Sequence, residues 1–265
     1  MSAHQIVLWD IDHTLVDTRG VGRDLSAQAF EKVTGLPMRQ QAKIDGITEA
    51  VIFRETARLH GLTANRHDFE RFADALAEAH IEREDELRQR GQALPGAGDA
   101  LNALAAVPGV VQTVLTGNVR RVAEIRLKTF DLDRHIRWDI GAFGEDNDQR
   151  AGLVRIALTR ATSAFDEPVS ATDAVLIGDS PADVEAALEM GVPAIAVASG
   201  RSSAEDLRKA GALRVLPSLE GTDAFMALIS ESACGRRELH DEPHLRLGHA
   251  EAGPRYIGRI RPERL

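Results

Sequence analysis

The sequence predicts an α/β fold: a doubly wound parallel sheet with an α-helical domain inserted after its first strand. Three observations point there. Short apolar runs, mostly rich in β-branched residues, recur at 6–9, 110–115, 138–140, 174–177 and 194–197. Runs of this length without alternation suit strands covered on both faces, as in a parallel sheet flanked by helices. Amphipathic stretches at 98–106, 120–130, 149–161, 181–190 and 204–210 fill the intervals, the rhythm of repeated strand–helix units. One interval breaks that rhythm, because 18–91 holds only helical patterns, at 21–34, 47–60 and 67–90.

In the insert, Leu25, Ala29 and Val33, and likewise Val51, Thr56 and Leu59, have the three-and-four spacing of a buried helix face. Asp17 and Thr18 are expected to cap the first insert helix and to form one hinge strand. The chain returns to the sheet at Leu94-Pro95-Gly96, a punctuator suited to a hinge. The expected domains are therefore a core of residues 1–17 and 94–232 and an insert of residues 18–93. Beyond about Ser232 apolar periodicity stops, and 233–265 reads as a loosely docked or disordered tail.

Length agrees, since 265 residues at about 150 per domain give roughly two domains. With 43% hydrophobic and 28% charged residues the composition is globular, which excludes fibrous and wholly disordered classes. The net charge of -9 gives no generic footprint for nucleic acid or anionic lipid, so neither is an expected partner. The first apolar run is cut off by Asp10, too short for a signal segment or a bilayer span, and a cytoplasmic location is expected. The single cysteine, Cys234, permits no intrachain disulfide and no multi-cysteine zinc site.

Chemistry concentrates where strands end. The first ends in Asp10-Ile11-Asp12-His13-Thr14, with two carboxylates two residues apart. The second ends in Thr116-Gly117-Asn118, a hydroxyl followed by a glycine that lets backbone N–H groups approach an anion. The run at 174–177 leads into Gly178-Asp179-Ser180-Pro181-Ala182-Asp183, with a second acid one helical turn after the first. Ligands of such sheets bind at the carboxyl ends of the strands, so these acids are expected to share one pocket. Two carboxylates about 4 Å apart repel by roughly 4 kcal/mol at an effective dielectric of 20, which implies a neutralising cation. An all-oxygen donor set favours Mg²⁺ over zinc, with Asp183 completing the shell directly or through water.

These three motifs, in this order and with a helical insert between the first two, resemble the haloacid dehalogenase superfamily with a C1 helical cap, and phosphoglycolate phosphatase-like members in particular. The resemblance covers about residues 5–230. It implies a Rossmann-like core and Mg²⁺-dependent hydrolysis of a small phosphomonoester through an aspartyl phosphate. In that reading Asp10 is the nucleophile and Asp12 the general acid and base. The Asp12 carbonyl joins Asp10 and Asp179 on the metal, while Thr116, Gly117 and Asn118 hold the phosphate. The family's usual lysine of the third motif is missing; Arg150 is assigned its role, with Lys128 the competitor. His13 stands where the family often has glycine and reads as a turn residue. Asp45, Gly46 and Thr48 form the candidate specificity loop of the cap, with Thr48 as a helix cap, and Arg54 reads as a solvated helix face. The expected partner is a small phosphorylated metabolite, and the chain is expected to be a monomer or homodimer. A sugar-phosphate mutase and a non-catalytic ligand-binding module of the same fold are the competing readings.

Overall fold

The computed structural model describes residues 4–44 and 46–240, with side chains as far as residue 232. In chain order the elements are β1 (Gln5–Trp9), β2 (Val16–Asp17), α1 (Val21–Thr34), α2 (Glu49–Leu59), α3 (Arg66–Glu82), α4 (Glu84–Arg90), β3 (Gln92–Ala93), α5 (Ala97–Ala105), β4 (Val110–Val114), α6 (Arg120–Thr129), α7 (Arg150–Phe165), β5 (Ala174–Gly178), α8 (Pro181–Met190), β6 (Ala194–Val197), α9 (Ala204–Lys209), β7 (Val215–Leu216) and α10 (Thr222–His240). The sheet runs β4-β1-β5-β6-β7 with every pairing parallel. β1 is thus central, and its residues alternate between two cores. Val7 and Trp9 pack with α5, α6 and α10, whereas Ile6 and Leu8 pack with α7 and α8. Burial of both faces is why these strands carry no polar alternation.

Helices α1 to α4 lie between β2 and β3, which pair antiparallel as a two-stranded stem. Their own apolar cluster holds Leu25, Phe30, Phe53, Phe69, Phe72 and Leu76, with Phe53 and Phe72 stacked at 4.5 Å between ring centroids. Val119 and Val122, from the start of the α6 segment, join it and seat the helical layer on the sheet domain.

Several elements differ from the sequence expectation. The run at 138–140 is a 3₁₀ turn, not a strand. Only single bridges, Gln112 with Ile136 and Leu115 with Ala142, join that segment to the edge of β4, and Asp139 interrupts its apolar pattern. Asp17 does not cap α1: it pairs with Gln92 in the stem, and Gly20 holds the N-cap in a left-handed conformation at φ 89°. The buried face of α2 is Glu49, Ile52, Phe53, Thr56 and Ala57, so Leu59 lies outside it at 41% exposure. The long pattern at 67–90 breaks at Arg83 into two helices. Helix α10 carries regular structure to His240, past the expected start of the tail, while 241–265 and the Cys234 side chain lie outside the described residues. No helix among the described residues is long and apolar enough to cross a membrane.

Candidate active site

The site forms at the carboxyl ends of β1, β4 and β5. Asp10 follows β1 directly and its N–H donates to the Ile177 carbonyl of β5 at 2.9 Å, which fixes where its carboxylate leaves the sheet. It is 6% exposed. Arg150, at the first position of α7 and equally buried, donates from Nη2 to Asp10 Oδ1 at 2.5 Å and from Nε to Asp183 Oδ1 at 2.6 Å. Lys128 is exposed on α6. The structure thus places Arg150, the first of the two candidate cations, on the acids. Arg150 is on a buried turn because Ala151, Leu153 and Val154 beside it pack against the sheet.

Asp183 is held twice over. Its Oδ2 accepts from the Ser180 hydroxyl at 2.6 Å and the Ser180 N–H at 3.2 Å, while the Ser180 oxygen accepts from the Asp183 N–H. This reciprocal cap, with Pro181 in the first turn, starts α8 and fixes the acid's direction. Oxygens of Asp10, Asp179 and Asp183, one from each, lie within 4.8 Å of one another. Three carboxylates thus face one guanidinium. Burial raises the Asp179 carboxyl, and the charges of Asp10 and Asp183 raise it further against Arg150. Burial likewise raises Asp10; Arg150 opposes the rise, and Asp183 and Asp12 add to it. The Asp179 carboxylate accepts no hydrogen bond from the described residues, though it is 7% exposed. A buried, crowded, all-oxygen donor set of this kind fits a hard divalent cation.

Asp12 is anchored differently. Its two oxygens accept from Arg126 Nη1 at 2.7 and 2.8 Å, and Oδ2 also accepts from Asn118 Nδ2 at 2.7 Å. Burial would raise this carboxyl, but the Arg126 charge and the Asn118 amide outweigh it and hold it below its ordinary value. Arg126 also donates to Asn118 Oδ1 at 2.8 Å and to His80 Nε2 at 3.3 Å. His80, on α3, is fully buried with Nδ1 2.8 Å from the Leu76 carbonyl. Burial and Arg126 push its pKa down to about 3, so the ring is neutral, donates from Nδ1 and accepts at Nε2. A chain of contacts therefore runs from the helical layer through Arg126 to Asp12.

The Thr116 oxygen accepts from the Asn118 N–H at 3.2 Å and its Nδ2 at 2.9 Å, which leaves its own proton free for an anion. Gly117 is needed because a Cβ there would meet the Ile47 carbonyl oxygen at 2.5 Å. Gly46, at φ 69°, packs so tightly on Ala182 that a Cβ would collide with it. These two glycines let the loop before α2 rest on the turns that follow β4 and β5. Thr48 is the N-cap residue of α2, as expected, but it is not among the residues that line the cavity. It is 1% exposed, makes no cap bond, and donates to the Asp148 carbonyl at 3.4 Å. Asp45 lies outside the described residues. Arg54 pairs with Asp148 at 2.8 Å across the layers. His13 takes a left-handed turn at φ 61° and lines the cavity, its carbonyl held by the Ser199 hydroxyl at 2.7 Å.

Asp10, Asp12, Thr116, Gly117, Asn118, Arg150 and Asp179 all line one cavity of about 640 Å³. Sequence reasoning missed Arg126 and Glu49, which line it too. A signal for both existed. Arg126 shares the buried register of Val122, Ala123 and Thr129 on α6, and Glu49 that of Ile52, Phe53 and Thr56 on α2. A charge on a buried register is unusual unless something polar awaits it.

Comparison with known proteins agrees with this geometry. Among solved structures, a hydrolase from Pseudomonas syringae is 22% identical with a TM-score of 0.60, over 86% of this chain and 99% of that one. A predicted phosphatase from Clostridium acetobutylicum is 20% identical with a TM-score of 0.61, over 86% and 99%. A predicted phosphoglycolate phosphatase from Haemophilus somnus is 16% identical with a TM-score of 0.55, over 87% and 99%. At these identities the likeness establishes the fold. No curated protein sequence matches significantly. The sequence profile of the haloacid dehalogenase-like hydrolases matches residues 7–188, a span holding every acid of the site, and the chain belongs to that family.

Proposed function

We propose that the protein is a Mg²⁺-dependent phosphatase that hydrolyses small phosphomonoesters through a phosphoryl group carried on Asp10. The observation that carries this reading is the placement of Asp10. Its Oδ1 is tied to Arg150, and its Oδ2 meets only the Thr14 hydroxyl, at 3.3 Å, among the described residues. It therefore keeps one oxygen for attack beside Thr116 and Asn118, the groups suited to hold a phosphoryl group.

Asp10 and Asp179, with the Asp12 carbonyl, would hold the metal, and Asp183 would act mainly by fixing Arg150. When bound, Mg²⁺ supplies charge neutralisation to the acids and to the phosphoryl oxygens. The negative charge of the bound phosphoryl group opposes the pull of Arg126 and Asn118 and lets Asp12 take up a proton from solvent. Asp10 Oδ2 then forms a bond to phosphorus as the ester P–O bond breaks, and that proton goes from Asp12 to the departing oxygen. The Asp12 carboxylate then takes a proton from water, whose oxygen bonds to phosphorus as the Asp10–phosphorus bond breaks, releasing phosphate and restoring both acids. Arg126 and Asn118 aim Asp12 throughout. Phosphomonoester hydrolysis is among the slowest uncatalysed reactions, so positioning and charge stabilisation together are required. Phosphate release from a panel of sugar, glycolate and nucleotide phosphates tests the reading. Release that stops with EDTA supports it; no release from any member in Mg²⁺ overturns it.

A further inference from the structure

Glu49 is a buried charge that the proposed reaction does not use. It opens α2 at 9% exposure, and its N–H donates to the Gly117 carbonyl at 2.8 Å, which pins its backbone beside the phosphate loop. It lines the cavity with Asp10, Asp12 and Thr116, yet its carboxyl oxygens accept no hydrogen bond from the described residues. Its neighbours on the buried face of α2 are largely apolar, and an apolar residue would serve packing better there. The Glu49 oxygens are not sealed off but reach the cavity, so the partner they lack within the protein is a group in that cavity.

The charges facing Glu49 select the partner's chemistry. Arg126 is nearby but committed to Asp12, Asn118 and His80. Burial pushes the Glu49 carboxyl up to about 7, Arg126 opposing and Asp12 and Glu145 reinforcing. A second anionic group on the substrate would meet three acids here. A cationic group would instead face the Arg126 guanidinium, whereas a hydroxyl meets neither penalty and can bond to either form of the carboxyl. The proximity to Asp12 places this contact on the leaving-group side.

We propose that Glu49 is a specificity-determining residue that hydrogen-bonds a hydroxyl of the leaving group, so that polyol- and sugar-type phosphomonoesters are the favoured substrates. This inference rests on the phosphatase reading. The test compares kcat/KM for glycerol 3-phosphate, erythritol 4-phosphate and ribose 5-phosphate with propyl phosphate, phosphoglycolate and phosphoethanolamine, in wild type, Glu49→Gln and Glu49→Ala. The best hydroxylated substrate should exceed propyl phosphate and phosphoglycolate by about tenfold or more in wild type. That ratio should collapse towards one in Glu49→Ala and survive largely in Glu49→Gln. Melting temperature should not fall in Glu49→Ala, since no bond in the protein is lost; a fall would mark a structural role and overturn the inference. Wild-type indifference to the hydroxyl, or leadership by phosphoglycolate or phosphoethanolamine, overturns it while leaving the phosphatase reading intact. No phosphate from any substrate removes both.

Discussion

Arg126→Met separates a positioning role for Arg126 from a space-filling one. Methionine keeps roughly the length of the side chain but removes every donor. Four hydrogen bonds are lost, at 2.7 and 2.8 Å to Asp12, 2.8 Å to Asn118 and 3.3 Å to His80. The Arg126 side chain is 8% exposed and that of Asp12 is 40% exposed. Water therefore reaches the freed carboxylate, and the stability cost should be about 1–3 kcal/mol, below the 3–5 kcal/mol of a fully buried broken pair. The catalytic cost should be larger. Asp12 keeps only Asn118 as an anchor, and a misplacement of about 1 Å costs about 100-fold in rate. Steady-state phosphate release in saturating Mg²⁺ should show kcat lower by about that factor with KM within a few fold, because Arg126 acts on Asp12 and not on substrate. Arg126→Lys should recover part of the loss. A kcat within threefold of wild type, in protein that is folded by circular dichroism, would refute the argument.

Other outcomes follow from the same geometry. Asp10 and Asp179 have native pKa values raised above the ordinary carboxylate value of 3.8, so the native state binds their protons more tightly than the unfolded chain does. The stability these two acids contribute to the metal-free protein, with Glu49 adding to it and His80 and Asp12 opposing it, should therefore be lost as pH rises from about 4 to about 8; Mg²⁺ should raise the melting temperature more at the higher pH, which differential scanning fluorimetry reads directly. Gly46→Val places a branched side chain at φ 69° against Ala182, so the loop before α2 should lift and kcat/KM should fall by about tenfold or more, with a melting temperature lower by a few degrees. Phe72→Ala removes the ring stacked on Phe53 in the helical layer and should cost about 3–5 kcal/mol in urea unfolding.

What was legible in the sequence was what local chemistry dictates. The strands at 6–9, 174–177 and 194–197 were readable because burial on both faces leaves an uninterrupted apolar run, and Asp10 and Asp179 stood out because they close the first two of those runs. The segment at 138–140 misled because an edge position beside β4 needs only two bridges, which a 3₁₀ turn satisfies as well as a strand. β7 was missed because two residues carry no period. Arg126 was hidden by its setting in Arg120-Arg121-Val122-Ala123-Glu124-Ile125-Arg126, where a basic residue reads as solvated until its register is counted. Its partners, Asp12 and His80, lie 114 and 46 residues away. No local pattern announces such a contact. Thr48 was legible as the N-cap of α2, but its bond to Asp148 was not, since it spans 100 residues.

The central claim is that Asp10 itself carries the phosphoryl group. The most direct measurement is intact and peptide mass spectrometry of enzyme quenched in acid during turnover with Mg²⁺ and a hydrolysed substrate. One added phosphoryl group on the peptide containing Asp10, absent in Asp10→Asn and absent with EDTA, is the predicted result. Turnover without that adduct, together with full activity in Asp10→Asn, would contradict it.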